Sequence, residues 1–134
     1  MSEPIVLSSS SLSEYLLCGK KWELHHVYGI RSSPGVRTVI GIAVHAAAET
    51  NLSQKIETRL DLPEADVLDA FSTSYDTEAQ EIETPEEPIP AGKDSGVGLT
   101  KLLHREVSPT IQPALVEHQV QYRIAGVEYS TYLD

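Results

Sequence analysis

Between Leu12 and Val107 apolar side chains recur at helical spacing, whereas from Val116 onward they alternate one by one with polar residues. That single change of period restricts the fold more than any composition does. Leu12, Tyr15, Leu16, Gly19 and Trp22 fall on one helical face, and Ser11 followed by Glu14 forms a capping box ahead of them. A first helix is predicted over 12–27, ended by Gly29 and the run Ser32-Ser33-Pro34-Gly35. A second, over 38–60, carries Ile40, Ala43, Val44, Ala47, Ala48, Leu52 and Ile56. The third opens at Asp61-Leu62-Pro63-Glu64, with Asp61 as cap and Glu64 returning the bond, and buries Leu68, Phe71, Tyr75 and Ile82.

The prolines and glycines between Thr84 and Gly98 predict a long exposed loop, followed by a short helix over 99–108 that Pro109 stops. In the last stretch Val116, His118, Val120, Tyr122 and Ile124 alternate with Glu117, Gln119, Gln121 and Arg123. After Ala125-Gly126, Val127, Tyr129, Thr131 and Leu133 alternate again, so 114–134 reads as a β-hairpin with one buried face. An isolated hairpin is marginal in water, so it must pack on the helices or join further strands. The expected architecture is one domain or domain fragment: a helical part over 8–83, the loop over 84–98, the short helix over 99–108 and the hairpin.

Composition narrows the class. With 40% hydrophobic and 22% charged residues the chain is an ordinary globular sequence. No apolar run approaches the roughly 18–20 residues that span a bilayer, and the amino terminus lacks a basic flank with a hydrophobic segment, so a cytoplasmic protein without membrane contact is expected. One cysteine excludes an intrachain disulfide and a four-cysteine zinc or iron–sulfur site. Cys18, inside an apolar helical pattern, reads as a small buried hydrophobe. The net charge of -10 opposes phosphate binding, but it is concentrated. Residues 49–90 hold two basic and twelve acidic groups, residues 1–48 four and three, and residues 91–134 four and five. The acidic middle is therefore expected to be a solvated face turned away from any nucleic acid.

Three separated pieces carry a resemblance. They are Ser9-Ser10-Ser11-Leu12-Ser13-Glu14-Tyr15-Leu16-Leu17-Cys18-Gly19-Lys20-Lys21-Trp22, then Gly41-Ile42-Ala43-Val44-His45, then Glu117 to Asp134. In this order and spacing the chain resembles the amino-terminal half of the PD-(D/E)XK nuclease superfamily, in the branch of RecB-type and phage-type exonuclease domains. The resemblance implies an incomplete α/β, restriction-endonuclease-like fold, mostly helical here with one antiparallel hairpin. It implies phosphodiester hydrolysis with Mg²⁺ or Mn²⁺, DNA as partner, and a larger nuclease or recombination assembly. The superfamily's CRISPR-associated members, whose four cysteines hold a cluster, are set apart by the single cysteine.

Residue by residue, the resemblance makes His45 a metal ligand, four positions after Gly41 and four before Glu49. Read alone, His45 is equally a helix histidine paired with Glu49 or buried at an interface. Asp134, after Leu133, corresponds to the first metal-binding Asp and a catalytic residue; Thr131 stands where the family favours Gly. Glu117 is a second catalytic candidate, or else a helix cap or a solvated strand carboxylate. Lys20, Lys21, Arg31 and Arg37 form the basic group expected to meet DNA phosphates. Lys20 and Lys21 could instead complement a helix dipole, and Gly19 stands where the family commonly has Pro. Trp22 and Tyr15 read as core residues. His25 and His26, being adjacent, are not expected to share a face, and His104 and His118 have no partner at ligand spacing. The acidic residue and Lys that the family places after the first Asp do not follow Asp134 in this sequence. The isolated chain is accordingly expected to be inactive, or active only within a longer protein. The alternative is a non-catalytic DNA- or protein-binding module on the same scaffold.

Overall fold

The computed structural model describes residues 7–133. Along them run α1 (Ser9–Leu17), α2 (Gly19–His26), α3 (Val36–Thr58), α4 (Glu64–Glu78), α5 (Ile89–Leu102), β1 (His118–Ile124) and β2 (Val127–Leu133). The mostly helical segment with one antiparallel pair is as the sequence predicts. Contacts divide the chain into two units, Ser33–Val116 and Met1–Ser32 with Glu117–Asp134.

In the first unit α3, α4 and α5 pack together. The face of α3 that is removed from water carries Val36, Val39, Ala43, Ala47, Asn51 and Lys55. Its small residues let α4 bring in Val67, Phe71 and Tyr75, whose burial contributes roughly 2–3 kcal/mol for a ring the size of Phe71. Glu86 closes the start of α3 from a distance, its carboxylate accepting from the backbone N–H of Val36 (2.8 Å) and Arg37 (3.0 Å). Those backbone donors, Arg37 first, hold the Glu86 carboxyl below its ordinary range.

Helix α5 corrects the expectation for this region: residues 89–102 are helical where a loop over 84–98 and a helix over 99–108 were predicted. Pro90 sits in the first turn, where a missing N–H costs nothing. Gly92, Gly96 and Thr100, four residues apart, form the buried face. A Cβ on Gly92 would stand 2.3 Å from Val36 Cγ1, and one on Gly96 2.3 Å from Phe71 Cζ. These glycines are contact points between helices rather than loop signals. The Tyr75 hydroxyl donates to the Ile89 carbonyl (2.7 Å), which fixes the start of α5. A π turn over Leu103–Val107 and a 3₁₀ turn over Ser108–Thr110 then carry the chain away from α5.

The start of α4 also differs from expectation. Its N-cap is Pro63, without a side-chain cap bond. Asp61 is engaged by Asn51 and Lys55, and Glu64 by Arg105.

In the other unit the single helix predicted over 12–27 is two. Cys18 is extended (φ -159°, ψ 100°), ending α1 and opening α2, and it is exposed rather than buried. The cap of α1 is Ser8, whose hydroxyl accepts from Ser11 N–H, so the box expected between Ser11 and Glu14 does not form. Ser11 Oγ instead accepts from the Trp22 indole at 2.7 Å. Tyr15 meets Trp22 edge-on, and Trp22 stacks on His26 at 5.3 Å. The hairpin pairs Tyr122 with Tyr129 and Ile124 with Val127 through Ala125 and Gly126, both at positive φ as a tight two-residue turn requires. Leu7 adds a parallel bridge to β2. The buried strand face predicted from the alternation is only partly covered: Val120 of β1 and Tyr129 and Thr131 of β2 are half-buried, while His118, Tyr122, Ile124 and Val127 are exposed.

Candidate functional site

His45 lies near the middle of α3 and is exposed, which removes the reading of a histidine buried at a helix interface. One turn earlier, a Cβ built on Gly41 would meet no atom within 4 Å, and one turn later Glu49 is exposed. Gly41, His45 and Glu49 thus share a solvent-facing stretch of α3. Glu117 is partly buried just ahead of β1, in the left-handed region at φ 48°. It belongs to the unit that does not contain His45. Asp134 lies outside the described residues, and so does its expected convergence with His45. Among the described residues no group of three or more His, Cys, Asp or Glu is arranged to hold a metal ion. The described part therefore offers single donors and not a complete metal cage.

Three of the four basic candidates have acidic partners. Lys20 pairs with Glu23 (2.7 Å), Lys21 with Glu14 (3.4 Å) and Arg37 with Glu87 (3.5 Å). Arg31 makes no hydrogen bond or ion pair with another described residue. Lys20, Lys21 and Arg31 share one unit, whereas Arg37 belongs to the other.

Two polar clusters were not visible in the sequence. In the first, Glu14 of α1 receives His25 Nδ1 at 2.9 Å on one carboxylate oxygen and His26 Nε2 at 3.2 Å on the other. Adjacent residues on a helix diverge, but a carboxylate reaching across from α1 spans both rings. Burial works against ionisation of Glu14, yet the hydrogen bond from Lys21 and the two imidazoles outweigh it and hold the carboxyl below its usual range. Ser10, Ser11, Glu14, His25, His26, Arg31 and Ser32 line a cleft of about 420 Å³ at this point. No local spacing announces such a cluster, because its members come from three segments.

In the second, Lys55 is 4% exposed and donates to Asp61 Oδ1 (3.0 Å) and the Ser108 carbonyl (2.6 Å). Asn51 donates to the same Asp61 oxygen (2.9 Å), and its own carbonyl oxygen accepts from Leu62 N–H (2.7 Å). This cluster secures the corner between α3 and α4. Burial opposes the charge on Asp61, but Asn51 and Lys55 outweigh it and keep the carboxyl depressed.

No helix of the described residues is long and apolar enough to cross a membrane. Neither the curated proteins nor the solved structures gave a match to this chain. The sequence profile of the PD-(D/E)XK nuclease superfamily does, over residues 6–132, a span that takes in the α1–α2 helices, the Gly41-to-His45 segment of α3 and the hairpin as far as Tyr132. On that match, the chain belongs to the PD-(D/E)XK nuclease superfamily.

Proposed function

We propose that this chain carries the amino-terminal motifs of a DNA nuclease of the RecB and phage-exonuclease type, working in the cytoplasm within a larger nuclease or recombination assembly. The family match carries the reading. Nucleases of this superfamily generally use divalent metals, and Mg²⁺ or Mn²⁺ is the ion proposed here. When bound, such an ion activates a water and neutralises charge building on the phosphodiester. His45 would supply an imidazole nitrogen, Asp134 a hard carboxylate oxygen, and Glu117 a further carboxylate. In support, His45 is exposed on α3, one turn after Gly41 as in the family's motif.

The test is Mn²⁺ binding followed by electron paramagnetic resonance and calorimetry on the whole chain. His45→Ala is expected to weaken binding by about tenfold or more. Equal Mn²⁺ affinity in wild type, His45→Ala and Asp134→Asn would remove this reading. One observation favours a second reading, a non-catalytic binding module: Lys20, Lys21 and Arg37 already have acidic partners within the chain. That reading expects a partner or DNA to bind equally well with Mn²⁺ and with a chelator, and the nuclease reading expects the chelator to weaken DNA binding.

A further inference from the structure

We propose that the apolar pocket between α1 and α2 is a docking site for a partner protein, taking one aromatic side chain from an acidic peptide segment. The site stands apart from the metal reading, since neither His45 nor Asp134 takes part.

Leu7, Leu12, Tyr15 and Trp22 line a pocket of about 180 Å³ that presents only apolar surface. An apolar cavity of about 150 Å³ holds a benzene ring, so this volume suits one aromatic side chain. The pocket asks for no polar partner, because the Trp22 indole N–H already donates to Ser11 Oγ at 2.7 Å. Its walls are held in place: Tyr15 meets Trp22 edge-on at 5.6 Å, and the indole stacks on His26. Leu16, one turn after Leu12, extends the apolar face to the end of α1, where Leu17 adjoins it. At 83% and 88% exposure these two are the most exposed large hydrophobic residues among those described. A pocket walled by Trp and Tyr, beside uncovered apolar surface, is where binding energy concentrates at protein interfaces.

Charge selects the partner. A Cβ on Gly19 would stand 3.6 Å from Tyr15 Cε2, so α2 starts against that ring, and Lys20 and Lys21 follow before Trp22. Both lysine side chains are more than half exposed, and their bonds to Glu23 and Glu14 are surface pairs that a ligand carboxylate can replace. Elsewhere an acidic segment meets repulsion, since residues 49–90 hold two basic groups against twelve acidic ones. A nucleic acid would satisfy the lysines, but a base placed in a pocket without donors or acceptors would leave its polar edge unpaired. An acidic peptide with an aromatic side chain uses both features.

Trp22 is the single tryptophan of the chain, so its fluorescence reports on the pocket directly. The whole chain is titrated with the end-blocked peptide Asp-Asp-Phe-Asp-Asp. A saturable change in emission is expected, with affinity about tenfold or more above that for the same peptide with Ala in place of Phe, or with Lys in place of each Asp. Lys20→Gln combined with Lys21→Gln should weaken binding by about threefold to tenfold, as two surface charges allow. Tyr15→Ala should abolish the preference for Phe over Ala. Circular dichroism reports whether each variant keeps its helices. Unchanged emission of wild type at millimolar peptide overturns the proposal, as does equal affinity for the Phe and Ala peptides or for the acidic and basic ones. A response to oligothymidylate without one to the acidic peptide assigns the lysines to nucleic acid. Emission that changes with protein concentration alone, with dimers in sedimentation, gives the pocket to a second copy of the chain. Either of these results also overturns the proposal.

Discussion

At Lys55 a full positive charge is kept almost out of water, and what makes this tolerable is that each contact is made: the Asp61 carboxylate at 3.0 Å and the Ser108 carbonyl at 2.6 Å. Removing one partner of a buried pair strands the other charge, at a cost of about 3–5 kcal/mol when both are fully buried. The Asp61 side chain is still 21% exposed, so Asp61→Asn is expected to lose less, about 2 kcal/mol, measured by urea unfolding at neutral pH. An unchanged urea midpoint would show that water, not Asp61, compensates Lys55. The pH dependence has a definite sign. Because the folded carboxyl is depressed, its stabilisation is complete above the unfolded value of about 4 and is lost as pH falls through the lower folded value. Glu14, Glu64 and Glu86 are depressed as well, so wild type loses stability in acid for several reasons. The part due to Asp61 is the stability gap between wild type and Asp61→Asn, which should narrow only below about pH 4. A gap that is constant from neutral to acid pH would contradict the assignment. None of this was legible beforehand. Periodicity placed the apolar stripe of α3 through Leu52 and Ile56, whereas the buried stripe continues from Ala47 to Asn51 and Lys55. Polar residues are assigned outward by default, and only the partners across the corner justify turning these two inward.

Among the elements, α5 shows how one residue type carries opposite signals. Glycines at 92, 96 and 98 with prolines before them resemble a loop when counted, but a helix when the spacing of four between Gly92 and Gly96 is set against the bulk of Tyr75 and Phe71. That bulk lies on another helix and could not be inferred locally. The consequence is a contrast between two identical substitutions in one helix. Gly98→Ala adds a methyl that meets nothing within 4 Å, and should stabilise by up to about 1 kcal/mol through helix propensity. Gly96→Ala makes the same propensity gain but drives a Cβ to 2.3 Å from Cζ of Phe71, a ring with no exposure to solvent. Overpacking costs about 1–3 kcal/mol, so the net effect should be destabilising. Thermal unfolding of both variants checks this, and a stabilised Gly96→Ala would mean that α5 does not pack as described. By contrast α3 was legible within two residues at each end, because its 23 residues hold a sustained period that local chemistry does not interrupt. The break at Cys18 was not, since nothing in the apolar pattern on either side of it changes phase.

Over the whole molecule, what the sequence disclosed best was lineage, because motif order is a property of the chain and needs no packing to be read. The match over residues 6–132 covers the first two pieces and the third as far as Tyr132, while the depth at which each element lies had to come from the structure. Burial differs sharply between the two units. Ser33–Val116 contains Val39, Ala43, Ala47, Val67, Phe71 and Tyr75, all at 3% exposure or less. In the other unit β1 leaves every side chain but Val120 exposed, and the hairpin ladder has two strands with a short bridge from Leu7. Opening free energy follows buried apolar contacts, and this pair has few: of its described side chains only Ser130 is buried, and it is polar. Native-state hydrogen exchange should therefore find the backbone amides around Phe71 and Ala43 the slowest. Those of Val120, Tyr122 and Tyr129 should exchange faster by on the order of a hundredfold or more. The difference should shrink as denaturant is added, because the helical core then approaches global unfolding while the hairpin already exchanges by local opening. If the hairpin amides instead persist as long as those of α3 and α4, the two units unfold as one. The cooperative block then extends over the hairpin, against the division drawn from their burial.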